Sequence, residues 1–132
     1  MQAFNYILVR SHSINGFINV TMNILITIYY PLGHGGAEVS TYLISKELKQ
    51  RGHNIIFASR GKFKGFKCYE IHSFRKNPIY SLYIRKLTKQ LRNIIIKENI
   101  DVVYAQDFNT TKAAMIAAKK EHVPIAVNYR DY

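Results

Sequence analysis

The sequence has no tryptophan, one cysteine, Cys68, and only 8 acidic residues against 19 Lys and Arg. A single cysteine excludes an intramolecular disulfide and is typical of a reducing compartment. No cysteine–histidine spacing suits zinc, so neither a metal site nor a cofactor is predicted. No apolar run reaches the roughly 20 residues of a membrane span, and residues 1–21 do not have the pattern of a signal peptide. These absences predict a cytoplasmic protein, and its 132 residues correspond to one domain.

The most informative segment is a glycine-rich turn between an apolar run and a helix. The apolar run covers Ile24 to Tyr30, and the turn that follows contains Pro31, Gly33, Gly35 and Gly36. A helical segment from Ala37 to Gly52 then leads to a second apolar run, Ile55 to Ala58. Glycines let the backbone approach a ligand closely, and a helix start presents unpaired N–H groups and partial positive charge. The pattern predicts strand, loop, helix and strand, with either a phosphate site or a simple tight turn at the glycines.

The rest of the chain continues the alternation of strands and helices. The predicted elements are a strand at Cys68–His72, a helix from Asn77–Pro78 to Lys97, a strand at Asp101–Ala105, a helix at Asn109–Glu121 and a strand at Pro124–Tyr129. Asn77 is the expected cap of the first helix, and Asn109, Thr110 or Thr111 that of the second. This alternation predicts an α/β fold, a Rossmann-like parallel sheet of order 3-2-1-4-5 with helices on both faces.

The helix that ends at Lys97 is predicted to be amphipathic. Its apolar stripe is Tyr83, Leu87, Leu91 and Ile94, and its opposite face carries Arg85, Lys89 and Arg92. In a parallel sheet, ligands bind outside the carboxyl ends of the strands. The loops there carry the polar candidates His34, Arg60, Gln106, Asp107, Arg130 and Asp131. Asp107 is also placed to cap the next helix instead of contacting a ligand.

Positive charge is concentrated in one segment. Residues 60–97 contain eleven Lys or Arg and one acid, Glu70, a net charge of +10. Phe63, Phe66, Tyr69 and Phe74 are interleaved with these cations, a composition that suits an anionic membrane surface or single-stranded nucleic acid, although a solvated basic loop is an alternative. The membrane interpretation predicts contact through Lys62, Lys64, Lys67, Arg75, Lys76, Arg85 and Lys89.

The pattern of several of these residues resembles that of the retaining glycosyltransferases of family 4, which have the two-domain GT-B fold. The similarity begins with a proline, a diglycine and a glutamate, and continues to an Arg-Gly-His turn. In this sequence these residues are Pro31, Gly35, Gly36, Glu38, Arg51, Gly52 and His53. It resumes over Ile100–Asp107 and over Val123–Asp131, so the resemblance covers residues 22–132. The chain is therefore expected to be an incomplete N-terminal domain of such an enzyme, preceded by a loosely ordered tail, residues 1–21.

The resemblance also implies roles for the loops. The implied sets are His34, Gly35 and Gly36 for the donor phosphates, Arg60, Gln106 and Asp107 for the acceptor, and Arg130 and Asp131 for catalysis. The sequence departs from the family at Tyr104, Gln106 and Arg130, where many members have histidine.

The expected function is that of the acceptor-side domain of a glycosyltransferase. It would move a sugar from a nucleotide-sugar donor to a glycan or lipid-linked acceptor at the cytoplasmic face of an anionic membrane, without nucleic acid. Because the family binds the nucleotide mainly in a C-terminal domain, this chain is expected to be inactive alone, as a truncated product, half of a split enzyme or an excerpt. The alternatives are a basic Rossmann-like nucleic-acid-binding module and, from Gly33, Gly35 and Arg60, an NADP-binding domain.

Overall fold

The computed structural model describes residues 20–33, 35–74 and 79–128. The chain alternates between strands and helices along these residues. The elements are β1 (Asn23–Thr27), α1 (Gly36–Gln50), β2 (Asn54–Ser59), β3 (Lys67–Glu70), α2 (Tyr80–Lys97), β4 (Val102–Ala105), α3 (Phe108–Lys120) and β5 (Ile125–Val127).

The strands form one parallel sheet in the order β3-β2-β1-β4-β5. Strand β1 lies at the centre, where Ile24 is in register with Ile55 of β2 and with Val102 of β4. The predicted α/β fold and strand order are confirmed. In this order the chain leaves β1 toward one edge of the sheet and returns to the other side of β1 through β4. Such a reversal of strand order is where parallel sheets bind ligands.

Helices cover both faces of the sheet. Successive strand residues point to opposite faces, so the strands contribute to two separate hydrophobic clusters. Leu25, Ile56 and Val103 pack in the hydrophobic cluster that contains the buried residues of α2 and α3. Their neighbours in sequence, among them Ile24 and Phe57, pack instead with α1. The predicted apolar stripe of α2 is confirmed, since Tyr83, Leu87, Leu91 and Ile94 are all buried.

Some predicted boundaries and caps differ from the structure. Strand β1 ends at Thr27, and the chain then leaves the sheet, so Tyr29 and Tyr30 belong to the loop. Helix α2 begins at Tyr80 without a side-chain cap, while Asn77 and Pro78 lie outside the described residues. Helix α3 is capped by Asp107, because an Asp107 carboxylate oxygen accepts the N–H of Thr110. The alternative role predicted for Asp107 is therefore confirmed, and the prediction of Asn109, Thr110 or Thr111 as the cap is wrong.

Two aromatic residues of the basic segment, Phe63 and Phe66, pack on the α1 side of the core. Phe63 is 1% exposed, and its ring stacks on Phe57 with 4.2 Å between centroids. Phe66 is half-buried against Phe57 and Tyr42 of α1. The interpretation of these two phenylalanines as surface groups was therefore wrong: they anchor the loop after β2 to the α1 side of the core. Within the described residues, no helix is both long and apolar enough to cross a membrane.

Candidate functional site

The loops that follow β1, β2 and β4 are bonded to one another at the carboxyl end of the sheet. The N–H of Arg60 donates to the carbonyl of Tyr29 at 2.9 Å, and the N–H of Gln106 donates to that of Thr27 at 2.9 Å. The N–H of Tyr29 in turn donates to Asp107 Oδ2 at 2.6 Å. These bonds make a single framework from segments far apart in sequence.

Asp107 joins this framework to helix α3. Its Oδ1 accepts the backbone N–H of Thr110 at 3.1 Å and the hydroxyl of the same residue at 2.6 Å. Burial raises the pKa of Asp107 above its ordinary value, although the bonds from Thr110 and Tyr29 act in the opposite direction. Both carboxylate oxygens are therefore engaged within the protein, which makes Asp107 a residue that positions the β1 loop and α3.

A pocket of about 440 Å³ opens on this framework. Its lining combines aromatic rings, one guanidinium and three smaller residues: Tyr29, Tyr30, Phe74, Arg60, Pro31, Ser73 and Asn109. Apolar walls with a few polar groups are the usual composition of a small-molecule site. Aromatic faces suit the C–H faces of a sugar ring, and a guanidinium suits a phosphate or carboxylate.

The pocket walls are held by local contacts. The hydroxyl of Tyr29 accepts the N–H of Phe74 at 3.0 Å. Arg60 donates through Nη1 to the carbonyl of Ile71 and pairs with the exposed Glu70 at 3.3 Å. These contacts bring the segment after β3 beside the loop after β1.

Glycine at position 61 allows the loops after β1 and β2 to approach closely. A Cβ atom added to Gly61 would lie 2.5 Å from Cβ of Pro31, which is too short for any real contact. The close approach therefore requires glycine at this position, and it places Arg60 and Pro31 in the same pocket.

Gln106 lies beneath the surface, with 1% of its area exposed. Its Oε1 accepts from Asn128 Nδ2 at 3.3 Å and lies 3.2 Å from Thr41 Oγ1, so the side chain lies between α1 and the end of β5. Its Nε2 is buried without a hydrogen-bond partner among the described residues. Gln106 is thus an internal residue with one unused donor.

The diglycine forms the start of α1. Gly35 is the N-cap residue and makes no side-chain cap, and Gly36 is the first helical residue. A Cβ atom added to Gly36 would meet no described atom within 4 Å, so the fold itself has room for a side chain there. Gly33 has φ of 105°, a left-handed conformation that favours glycine. Gly35 and Gly36 are exposed at the helix start, and the buried carboxylate of Glu38 lies in the first turn, 3.1 Å from the position of a Cβ atom added to Gly35.

The structure brings together only part of the predicted site. Arg60 lines the pocket, and Gln106 and Asp107 support it from below. His34, Arg130 and Asp131 lie outside the described residues. Sequence reasoning missed the pocket-lining Tyr29, Tyr30, Phe74 and Asn109. The available signal was the position of the two tyrosines at the end of the first apolar run. Across the part of the chain that is described, no cluster of three or more His, Cys, Asp or Glu could hold a metal.

The cations predicted to contact a membrane do not form one surface. Lys62 and Lys64 are exposed on the α1 side, where the Lys64 carbonyl accepts the hydroxyl of Tyr42. Arg85 and Lys89 are exposed on α2, across the sheet. Lys67 starts β3 at the amino end of the sheet, and its ammonium lies 2.6 Å from Glu98. The predicted Arg75 and Lys76 lie outside the described residues.

Comparison with known proteins identifies the family of the chain. A sequence model described as Glycosyltransferase Family 4 matches residues 34–130. The chain belongs to this family. A 42.6 kDa protein in the cps region of Klebsiella pneumoniae is 27% identical over 138 residues, which cover 84% of this chain and 37% of that protein.

Solved structures share the fold. A glycosyltransferase from Rickettsia africae matches with a TM-score of 0.66 at 23% identity, over 83% of this chain and 30% of that one. MurG of Acinetobacter baumannii matches with a TM-score of 0.66 at 17% identity, over 80% and 33% respectively. The family 4 chain thus spans about a third of the length of these proteins. It has the Rossmann-like fold of a glycosyltransferase domain, as predicted.

Proposed function

We propose that this family 4 chain is the acceptor-side domain of a retaining glycosyltransferase. It would take part in moving a sugar from a nucleotide-sugar donor to a glycan or lipid-linked acceptor. The observation that carries the proposal is the aromatic pocket beside Arg60 at the carboxyl end of the sheet. Because the donor nucleotide would bind mainly in a second domain, the 132-residue chain alone transfers no sugar.

The pocket is the proposed acceptor site. Tyr29, Tyr30 and Phe74 supply surfaces on which a sugar ring can stack, and Arg60 supplies a charge for a phosphate or carboxylate of the acceptor. Gln106 and Asp107 act by holding the loops that carry these groups.

The start of α1 is the proposed contact for the donor diphosphate. Gly35 and Gly36 are exposed at this helix start, where the first N–H groups have no partner within the helix, and His34 immediately precedes them in the sequence. Arg130 and Asp131 are the proposed catalytic residues, by their family position alone. Adding a C-terminal partner domain should create transfer activity, and Gly36→Val should then remove it, because the described part of the fold has room for the valine side chain but a closely bound phosphate would collide with it.

The acceptor proposal is tested by saturation-transfer NMR with sugars and sugar 1-phosphates on the chain. We expect the chain to bind the sugar phosphates weakly and Arg60→Gln to reduce this binding. The control Lys46→Gln, which changes an exposed residue of α1, should not reduce it. Calorimetry with uridine- and guanosine-diphosphate sugars should detect no micromolar binding. Micromolar affinity would show that the donor site is misplaced, and equal losses in the two glutamine variants would refute the role of Arg60.

The basic composition favours an additional membrane contact. Because a flat surface cannot touch both faces of the sheet, we propose that the α2 face, with Arg85 and Lys89, is the side that meets an anionic membrane. Each such cation contributes about 1 kcal/mol near an anionic surface. The attraction is screened beyond roughly 8 Å at physiological salt, so binding should weaken as salt rises.

Two pairs of variants distinguish the faces. Arg85→Glu with Lys89→Glu, and Lys62→Glu with Lys64→Glu, make the same change in charge on opposite sides of the sheet. In sedimentation with anionic vesicles, only the α2 pair should lose binding. If only the Lys62 and Lys64 variant loses vesicle binding, the membrane contact lies on the α1 side. If the wild-type chain binds neutral and anionic vesicles equally, the proposed contact with an anionic membrane is refuted.

A further inference from the structure

The helices α2 and α3 form a layer with charge of one sign. Helix α2 contains five Lys or Arg and α3 contains three, and neither helix contains an acidic residue. The three cations of α3 are Lys112, Lys119 and Lys120, which lie outside the basic segment of residues 60–97. The tertiary structure therefore extends the basic surface across a second helix.

A groove of about 420 Å³ runs between these two helices. Its cations are Arg85, Lys89 and Arg92 from α2 and Lys120 from α3. Arg92 is paired with Glu121 at 3.0 Å. In the described part of the chain, no carboxylate forms an ion pair with Arg85, Lys89 or Lys120. The groove thus presents three uncompensated positive charges.

Thr88 lines the same groove and has an unused hydroxyl. The residue is 7% exposed, and its Oγ1 has no hydrogen-bond partner among the described residues. Helical hydroxyls commonly bond the carbonyl four residues earlier, as Thr41 and Ser45 do at 2.8 and 2.7 Å. A buried hydroxyl without a partner is unfavourable unless a ligand or water completes it.

Apolar surface accompanies these polar groups. Ile84 and Ile116 line the groove between the cations. On the same helices, Leu82 and Met115 are 43% and 49% exposed. A free phosphate ion would use none of this apolar surface, whereas a lipid places its phosphate and its glycerol and acyl carbons side by side.

We propose that the α2–α3 groove binds the phosphate headgroup of one anionic phospholipid. The inference rests on the membrane contact proposed above and gives it a defined site. Arg85 and Lys89, one helical turn apart, bind the phosphate oxygens. The Thr88 hydroxyl is enclosed in the free protein, and in this proposal it turns toward the groove and donates to one of these oxygens. Ile84 and Ile116 contact the first carbons of the lipid.

The decisive variant is Thr88→Val, which keeps the shape and charge of the groove and removes only the hydroxyl. Loss of one hydrogen bond to a charged group weakens binding by about tenfold. We therefore expect Thr88→Val to bind vesicles of phosphatidylcholine and phosphatidylglycerol about tenfold more weakly than wild type, with no decrease in thermal stability. Lys46→Gln, on α1, should leave binding unchanged, and Lys89→Gln should weaken it.

A soluble probe separates this site from general membrane attraction. Dihexanoyl-phosphatidylglycerol below its micelle concentration should shift the backbone amide resonances around Thr88 in the full chain, and inorganic phosphate should shift them far less.

If anionic vesicles bind wild type and Thr88→Val equally, the membrane contact stands and the headgroup site is refuted. If wild type binds no anionic vesicles but the soluble lipid shifts these resonances, the site stands and the membrane contact fails. Equal shifts by inorganic phosphate, or tighter binding of single-stranded RNA to this face, would overturn the lipid assignment.

Discussion

Asp107 offers the sharpest test of how the carboxyl end of the sheet is assembled. Asp107→Ala removes the N-cap of α3, a loss of about 1 kcal/mol, and leaves the Tyr29 N–H without its acceptor, a further 1–3 kcal/mol or so. We therefore expect the free energy of unfolding to fall by about 2–4 kcal/mol. Such a loss is a large share of the stability of a domain of this size.

The pH dependence of the same site has a definite sign. Burial raises the folded-state pKa of Asp107 above its ordinary 3.8. A raised pKa means that the folded state holds the proton more tightly than the unfolded state. The stability that the bound proton adds is therefore complete below pH 3.8 and is lost as the pH rises through the folded-state pKa, while the hydrogen bonds that the carboxylate accepts remain. Because Asn does not titrate, the difference in free energy of unfolding between wild type and Asp107→Asn should decrease as the pH rises through that window. Above the window the difference should be constant.

Urea denaturation followed by far-UV circular dichroism measures both effects, since the chain has no tryptophan. Asn109→Ala is the matched control, because Asn109 was a predicted cap of α3 and the structure assigns the cap to Asp107. The control should change stability by no more than about 0.5 kcal/mol. If Asn109→Ala is costly and Asp107→Ala is not, the capping assignment and the bridge to Tyr29 are both incorrect.

Three further predictions follow from local geometry. Phe63→Ala should lower the free energy of unfolding by about 3–5 kcal/mol in urea denaturation, because the ring is buried, and a loss below 1 kcal/mol would place it at the surface. Burial lowers the pKa of His53 below its ordinary 6.5, so the free energy of unfolding should decrease as the pH is lowered below 6.5. His53→Asn should remove this dependence when denaturation is measured across pH. Gly61→Ala should cost about 1–3 kcal/mol by thermal unfolding, because its methyl group would overlap Pro31, and an unchanged midpoint would contradict the close loop contact.

Much of the fold could be predicted because its signals are local. The periodicity of apolar residues distinguishes the strand at Ile55 to Ala58 from the amphipathic helix that contains Tyr83 and Leu87, without knowledge of any distant contact. The site was predicted less completely. Arg60 was found because it follows a strand. Phe74 is held at the pocket by contacts distant in sequence, among them its N–H bond to the hydroxyl of Tyr29, 45 residues earlier.

The sequence by itself determined the alternation of strands and helices and the glycine start of α1, because each depends on neighbours within a few residues. The parallel sheet could be inferred from that alternation. Tertiary structure decided which acceptor caps α3, since the choice of Asp107 is reinforced by a bond to Tyr29 that is 78 residues away. It also decided that Phe63 is internal and that cations from two helices share a groove. These outcomes depend on which surfaces the folded sheet brings together, and a one-dimensional pattern carries no such information.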